Sequence, residues 1–336
     1  MTVLLYEDER FEHHDTGPHH PERAARLPAV HAGLAVHGLM DGLTTVPPRA
    51  ATDDELHLVH PEAYVSAVEG LCAAGGGHLD PDTVLSRESA SVARLAAGAG
   101  VDAAERIERG EAHAAFLAVR PPGHHATATR GMGFCLFNSA AVTAAVLAQR
   151  GERVLVVDVD AHHGNGTQDI FYERDDVAYV SWHQHPLYPG TGRAEQWGAG
   201  AGTGATLNLP MPPDATGEHY RRSLEEVLAP FVEWHRSTWL VLSAGFDAHR
   251  ADPLTDLGLT SGDFSDVTSD LLQLVPGGRC VAFLEGGYDL QAVADSAAAT
   301  VGALLGERVH PEAPTSGGPG AVVVDRVAEL RHRLDR

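Results

Sequence analysis

The stretch Val154-Leu-Val-Val-Asp-Val-Asp-Ala-His-His-Gly-Asn-Gly166 decides how this chain folds and where its chemistry sits. An apolar, β-branched run ends in Asp158, Asp160 and His162, three polar residues spaced two apart. Alternate side chains of a strand share a face, so the three project together from the strand's carboxyl end. A strand buried on both faces reads as unbroken Val, Ile and Leu, and charged groups placed there need partners. A divalent metal meets that need, because carboxylate oxygen and imidazole nitrogen are ordinary zinc ligands. The competing reading is a hydrogen-bonded strand end that holds no metal.

Outward from this strand, short apolar runs alternate with longer helical patterns. Strands are predicted at residues 3–6, 114–119, 153–159, 177–182, 238–244 and 279–284. Helices are predicted at 24–37, 89–108, 139–149, 218–234, 265–274 and 290–305. This alternation predicts an α/β fold, a parallel sheet with helices on both faces and ligands beyond the carboxyl ends of the strands. Polar motifs follow Val119, Val159, Trp182, Ala244 and Leu284, all at that edge. No linker divides residues 1–306, which read as one catalytic domain. Residues 307–336 read as an extension, with a flexible Gly/Pro-rich connection at 311–320 and a short amphipathic helix at 322–334.

Composition narrows the function classes. The chain of 336 residues is 43% hydrophobic and 21% charged, as soluble globular proteins are. Its formal charge of −22 argues against nonspecific binding to nucleic acid or to anionic membranes. No run approaches the roughly 18 apolar residues that span a bilayer, and the amino-terminal residues lack a signal-peptide pattern. Cys72, Cys135 and Cys280 form no CxxC pair, and the apolar settings of Cys135 and Cys280 read as buried thiols suited to a reducing cytoplasm. No partner motif is visible, and the oligomeric state stays open.

Four further segments carry chemistry. A catalytic zinc takes three protein ligands and keeps one position open. Asp160 and His162 supply two, and Val241-Leu-Ser-Ala-Gly-Phe-Asp247 presents Asp247 after another apolar run. Asp158 lies deeper on the same face, where it either orients a histidine or serves as a structural buried carboxylate. Arg120-Pro-Pro-Gly-His-His-Ala126 is a stiffened turn that directs His124 and His125, as metal ligands or as an acid/base pair. With three metal positions already filled, acid/base chemistry is the more economical reading. Glu285-Gly-Gly-Tyr-Asp289 turns sharply and frees Tyr288 to donate to an oxyanion, although a packing tyrosine is the default for so short a motif. Phe134 and Tyr188 stand beside the same edge, as core residues or as walls of a narrow channel. The histidines at 13, 14, 19 and 20 read as a loop near the site mouth.

Together these segments resemble the zinc-dependent histone deacetylase family, which also contains acetylpolyamine amidohydrolases and acetoin-utilisation proteins. The resemblance runs from about His13 to Leu305. It implies the arginase–deacetylase fold, a single domain with an eight-stranded parallel sheet flanked by helices. It also implies one Zn2+ per chain on Asp160, His162 and Asp247. His125 becomes the general base, His124 its electrostatic partner or acid, and Tyr288 the group that polarises the scissile carbonyl. Gly133 offers a backbone carbonyl to the substrate amide, and Phe134 and Tyr188 become tunnel walls. A structural K+ is implied at Asp158, Asp160, His162, Ser181 and Trp182. Arg26, with Arg23 as a rival, lines a product-exit cavity.

Phe137-Asn-Ser139, His163-Gly-Asn-Gly166 and Ser243-Ala-Gly-Phe-Asp247 look closer to the class II branch. Asn165 stands where class I relatives carry aspartate, and a neutral amide favours the imidazolium of His125 less than a carboxylate does. Leu254 stands where a polyamine-selective relative carries glutamate.

The expectation is therefore hydrolysis of an N-acyl amine such as acetyl-lysine, with acetylpolyamines or other small metabolites as the alternative substrates. Two rivals remain: a two-manganese ureohydrolase on the same fold, and a non-catalytic acyl-ligand binding protein. The first needs an extra carboxylate that His163-Gly-Asn-Gly166 does not supply. The second has no use for an acid/base pair or an oxyanion donor.

Overall fold

The apolar runs assemble side by side because each is buried on both faces and cannot stand alone. The structure, a computed structural model, describes residues 2–334. Eight strands form one sheet: β1 (Val3–Tyr6), β2 (Leu43–Thr45), β3 (Ala114–Leu117), β4 (Val154–Asp158), β5 (Val177–Gln184), β6 (Thr206–Met211), β7 (Trp239–Ala244) and β8 (Cys280–Leu284). Their order is β2-β1-β3-β8-β7-β4-β5-β6, and every pairing is parallel. Helices flank the sheet, and β3, β4, β5, β7 and β8 are buried along their whole length. This is the eight-stranded α/β architecture that the resemblance implied. β4 lies between β7 and β5, so Asp158 stands in register with Ser243 on one side and Ser181 on the other.

All six strands predicted from pattern form, with ends that differ by up to two residues. The two that the pattern missed are the sheet edges. β2 has three residues, two of them exposed. β6 contains Asn208 and Pro210, residues that an edge strand tolerates and a central one does not. Gly77–Asp80 and Thr83–Leu85 pair antiparallel as a separate hairpin, also unpredicted.

The helices Ser89–Glu108, Ser139–Gln149 and Leu290–Leu305 match their predicted bounds, and the first predicted helix spans Arg26–Val36. The helix expected at 218–234 is Gly217–Ser223, a π turn at Leu224–Leu228, then Ala229–His235. Pro230 near the start of the last piece lacks the N–H that would continue a regular ladder. The helix expected from 265 begins at Ser261, because the Thr260 N–H donates to Asp263 Oδ2 at 3.0 Å and caps an earlier turn. Asp53–His57, Glu62–Ala73 and Asn165–Phe171 are helices that periodicity did not reveal.

The 311–320 connection, expected to be flexible, is tied down. Glu312 N–H donates to Ser261 Oγ at 3.1 Å, Thr315 N–H to Asp263 Oδ1 at 2.9 Å and Gly317 N–H to Glu218 Oε2 at 2.7 Å. Side-chain acceptors on two neighbouring helices thus replace the missing secondary structure. Among the described residues no helix is long and apolar enough to cross a membrane.

Candidate active site

The carboxyl ends of β4 and β7 bring Asp160, His162 and Asp247 together. His162 Nδ1 lies 3.1 Å from Asp160 Oδ1 and 3.0 Å from Asp247 Oδ2. One ligand atom from each residue falls within 4.8 Å of the others, and both carboxylates are fully buried. Backbone amides aim the carboxylates: Gly286 N–H donates to Asp160 Oδ2 at 2.8 Å, and Ala161 N–H to Asp247 Oδ1 at 2.7 Å. A Cβ on Gly286 would sit 2.2 Å from Asp247 Oδ2 and 2.6 Å from Asp160 Oδ2, so only glycine lets that backbone approach. Burial lifts Asp247 to about 7, and for His162 the two carboxylates outweigh burial and raise it to about 10. Two buried carboxylates that draw positive charge onto the imidazole between them form a donor set that fits a divalent cation.

His124 and His125 stand beside this trio on the turn after β3, with ring centroids 4.0 Å apart. Their partners differ. His124 Nδ1 lies 3.0 Å from Asp158 Oδ2, and its Nε2 lies 3.8 Å from Asp160 Oδ2. Burial opposes its charge, but Asp160 and Asp158 prevail and hold its pKa well above the ordinary value. His125 Nδ1 lies 2.8 Å from the neutral Asn165 Oδ1. Burial and the neighbouring His124 and His162 push it well below the ordinary value. The two neighbouring rings are therefore pushed in opposite directions, His124 towards its charged form and His125 towards its neutral form.

Glu285 fixes the turn that carries them, a role the sequence reading did not give it. Its Oε2 accepts from Gly123 N–H at 2.6 Å and His124 N–H at 3.2 Å, while Ser243 Oγ donates to Oε1 at 3.3 Å. One buried carboxyl thus joins the end of β8, the turn after β3 and β7. The signal was available: an acidic residue directly after a buried apolar run poses the same question as Asp158.

Tyr288 enters from the opposite side. Its N–H donates to Asp252 Oδ2 at 2.8 Å, and the Arg26 guanidinium lies 5.3 Å from its ring centroid. Arg26 Nε donates to Gly287 O at 2.7 Å and its Nη2 to Glu285 O, so the turn is held from both flanks. Burial, then Asp247 and Asp160, keep the phenol protonated well above its ordinary value.

A cleft of about 490 Å³ leads from the surface to these groups, and His125, His162 and Tyr288 line it. Gly133, Phe134, Tyr188 and Leu254 also line it, as read from the sequence. The rings of Tyr188 and His125 meet edge-on at 5.1 Å, and those of Phe134 and Tyr288 at 5.9 Å. Gly133 and Phe134 both adopt positive φ, 55° and 69°. At the mouth Leu254 and Tyr188 are 40% and 39% exposed. His20 lies there too, its ring 4.7 Å from Phe134 and its Nε2 3.1 Å from Asp82 O in the unpredicted hairpin.

Asp158, Ser181 and Trp182 lie behind the trio. Tyr179 donates to Asp158 Oδ2 at 3.1 Å, Ser181 Oγ lies 2.9 Å from His183 Nδ1, and Trp182 Nε1 donates to Ser223 Oγ at 2.8 Å.

Comparison with known proteins gives the family. Residues 20–304 match the model of the histone deacetylase domain. Histone deacetylase 15 of Arabidopsis thaliana is 39% identical over 93% of this chain, which spans 57% of that protein. A probable deacetylase of Archaeoglobus fulgidus is 39% identical over 87% of this chain and 82% of its own length. A histone deacetylase-like amidohydrolase of Pseudomonas aeruginosa is 39% identical over 80% of this chain and 71% of its own. The crystal structure of the HDA15 HD domain superposes with a TM-score of 0.92 at 37% identity, covering 99% of this chain and 95% of that one. The chain belongs to the histone deacetylase family and is a hydrolase acting on amides.

Proposed function

We propose that the chain is a zinc-dependent deacetylase that removes an acetyl group from an N-acyl amine such as acetyl-lysine. One observation carries this reading: Asp160, His162 and Asp247 converge beside His124, His125 and Tyr288, and His125, His162 and Tyr288 line one cleft. Zinc held by the trio would polarise an acyl carbonyl and acidify a water molecule. His125 shares its Nδ1 proton with Asn165, which leaves Nε2 as the basic nitrogen to take the proton of an attacking water. Tyr288 donates its phenolic proton to the oxyanion that forms. The charged histidine of the pair supplies a proton to the departing amine. Gly133 O and the rings of Phe134 and Tyr188 orient the aliphatic arm along the cleft.

The same reading gives K+ to Asp158, Asp160, His162, Ser181 and Trp182, supported by the register of Asp158 with Ser181. Arg26, directly behind Tyr288, stands where a product-exit path would run. An acetylpolyamine or another small amine is the second reading, favoured by the Asp82 carboxylate on the cleft wall, whereas Leu254 favours a less polar arm.

The test is turnover by the purified protein on acetyl-lysine peptides, acetylpolyamines and longer-acyl substrates, with and without chelator. Hydrolysis abolished by chelator and restored by zinc supports the reading. Turnover restored by manganese alone, or ligand binding without turnover, sinks it.

A further inference from the structure

Glu312 lies eight residues past residue 304, where the match to the histone deacetylase domain ends. Its carboxylate nevertheless reaches the turn after β7 that begins with Asp247. Glu312 Oε2 lies 2.6 Å from His249 Nε2, and Arg250 Nη2 donates to Oε1 at 2.6 Å. Ala251 N–H donates to His249 Nδ1 at 3.1 Å, which leaves Nε2 as the nitrogen that donates to Glu312. Asp252 N–H closes the turn on His249 O at 2.8 Å. The Asp252 carboxylate then holds two groups of the site, Leu254 N–H at 2.9 Å and Tyr288 N–H at 2.8 Å. A continuous set of hydrogen bonds thus runs from the extension to the main chain of Tyr288.

We propose that Glu312 is a positioning residue for Tyr288, acting through the 249–254 turn and Asp252. The proposal rests on the reading of Tyr288 as the oxyanion donor. Arg26 holds the carbonyls of Glu285 and Gly287 on one flank of the tyrosine, and Asp252 holds its amide on the other. Asp252 is only as fixed as its turn, and the turn's His249 and Arg250 are anchored on Glu312. Gly287, at φ 114°, gives the tyrosine segment no side chain with which to resist displacement. Misplacement of a catalytic group by 1 Å costs up to about 10² in rate, so a partial loosening predicts a smaller but readable loss.

Two measurements on the full chain test this. In amide hydrogen exchange, Glu312→Ala and the milder Glu312→Gln should speed exchange of the Tyr288 amide, as should Asp252→Asn, and leave the amides of β6 unchanged. In turnover of an acetyl-lysine reporter, Glu312→Ala should lower kcat about tenfold, with partial recovery in Glu312→Asp. In a Tyr288→Phe background the same change should cost less than about twofold, because residues acting as one unit are not additive. Unchanged exchange at Tyr288 overturns the proposal, as does an equal fractional loss in both backgrounds, which marks a merely structural strap. If the wild-type protein hydrolyses nothing, the functional reading fails by itself, and the exchange comparison still decides whether Glu312 orders Tyr288.

Discussion

Tyr288 owes its position to main-chain contacts, Asp252 on its amide and Arg26 on the carbonyls before it. Its phenol stays protonated through burial and the nearby Asp247 and Asp160, the state in which it donates. Loss of one oxyanion donor costs about 10²–10³ in kcat. We expect Tyr288→Phe to keep the wild-type melting temperature and lose at least that factor on an acetyl-lysine reporter. Near-wild-type turnover would remove the tyrosine from the mechanism. His125 offers a second test, through Asn165. A base must be neutral to act, so the proposed role of His125 requires the acid limb of kcat/KM to follow its pKa. Asn165→Asp places a carboxylate on its Nδ1 and raises that pKa, so the acid limb should move to higher pH. A limb that stays in place or moves down shows that another group sets it. At this scale the sequence exposed the residues that end apolar runs, Asp160, His162 and Asp247, because charge there needs a reason. It concealed Asp252 and Glu312, whose roles depend on contacts between segments that no local pattern reports.

Between elements, a buried polar cluster is centred on Glu22. Its Oε1 lies 2.5 Å from Arg120 Nε, after β3, and 3.1 Å from Arg26 Nη1, in the first long helix. Its Oε2 lies 3.5 Å from His14 Nε2, and none of the four side chains is more than 1% exposed. Burial favours the neutral acid, but Arg120 outweighs it and lowers Glu22 from 4.5 to about 2. A depressed carboxyl contributes stability that is fully present above its unfolded value and is lost as pH falls towards the folded one. Removing one partner of a buried ion pair costs about 3–5 kcal/mol. We therefore expect Glu22→Gln to lose about that much in urea unfolding at pH 7. Between pH 4.5 and 2 it should lose less further stability than the wild type does. Equal pH slopes would show that Glu22 does not titrate in that window. The sequence reading placed His14 in a loop near the site mouth, yet His14 and its partner Glu22 are buried in the core. Interior strands and long helices were legible because burial leaves a regular apolar signature. Edge strands β2 and β6 were not, since half their ladder faces no neighbour and propensity is relaxed there. The hairpin at the cleft mouth was missed for the same reason, as two short strands with little apolar content.

Across the whole molecule, the site draws on segments from Arg26 to Tyr288 that meet only when the parallel sheet is complete. That dependence makes the metal a stability probe as well as a catalytic one. Asp160 and His162 follow β4 and Asp247 follows β7, so one bound cation would tie neighbouring strand ends together. It would also offset the repulsion of two buried carboxylates that His162 offsets in part. A ligand that binds only the folded chain stabilises it by about 4 kcal/mol at a thousandfold excess over its Kd. We expect a strong chelator to lower the melting temperature by several degrees, and one equivalent of zinc per chain to restore it. Asp247→Asn should abolish this metal response while leaving a folded protein, because the amide removes a charged ligand and also relieves the repulsion with Asp160. A chelator-insensitive melting temperature, or a response that survives Asp247→Asn, would place the metal elsewhere. Because this measurement needs no substrate, it separates the metal centre from the identity of the acyl amine.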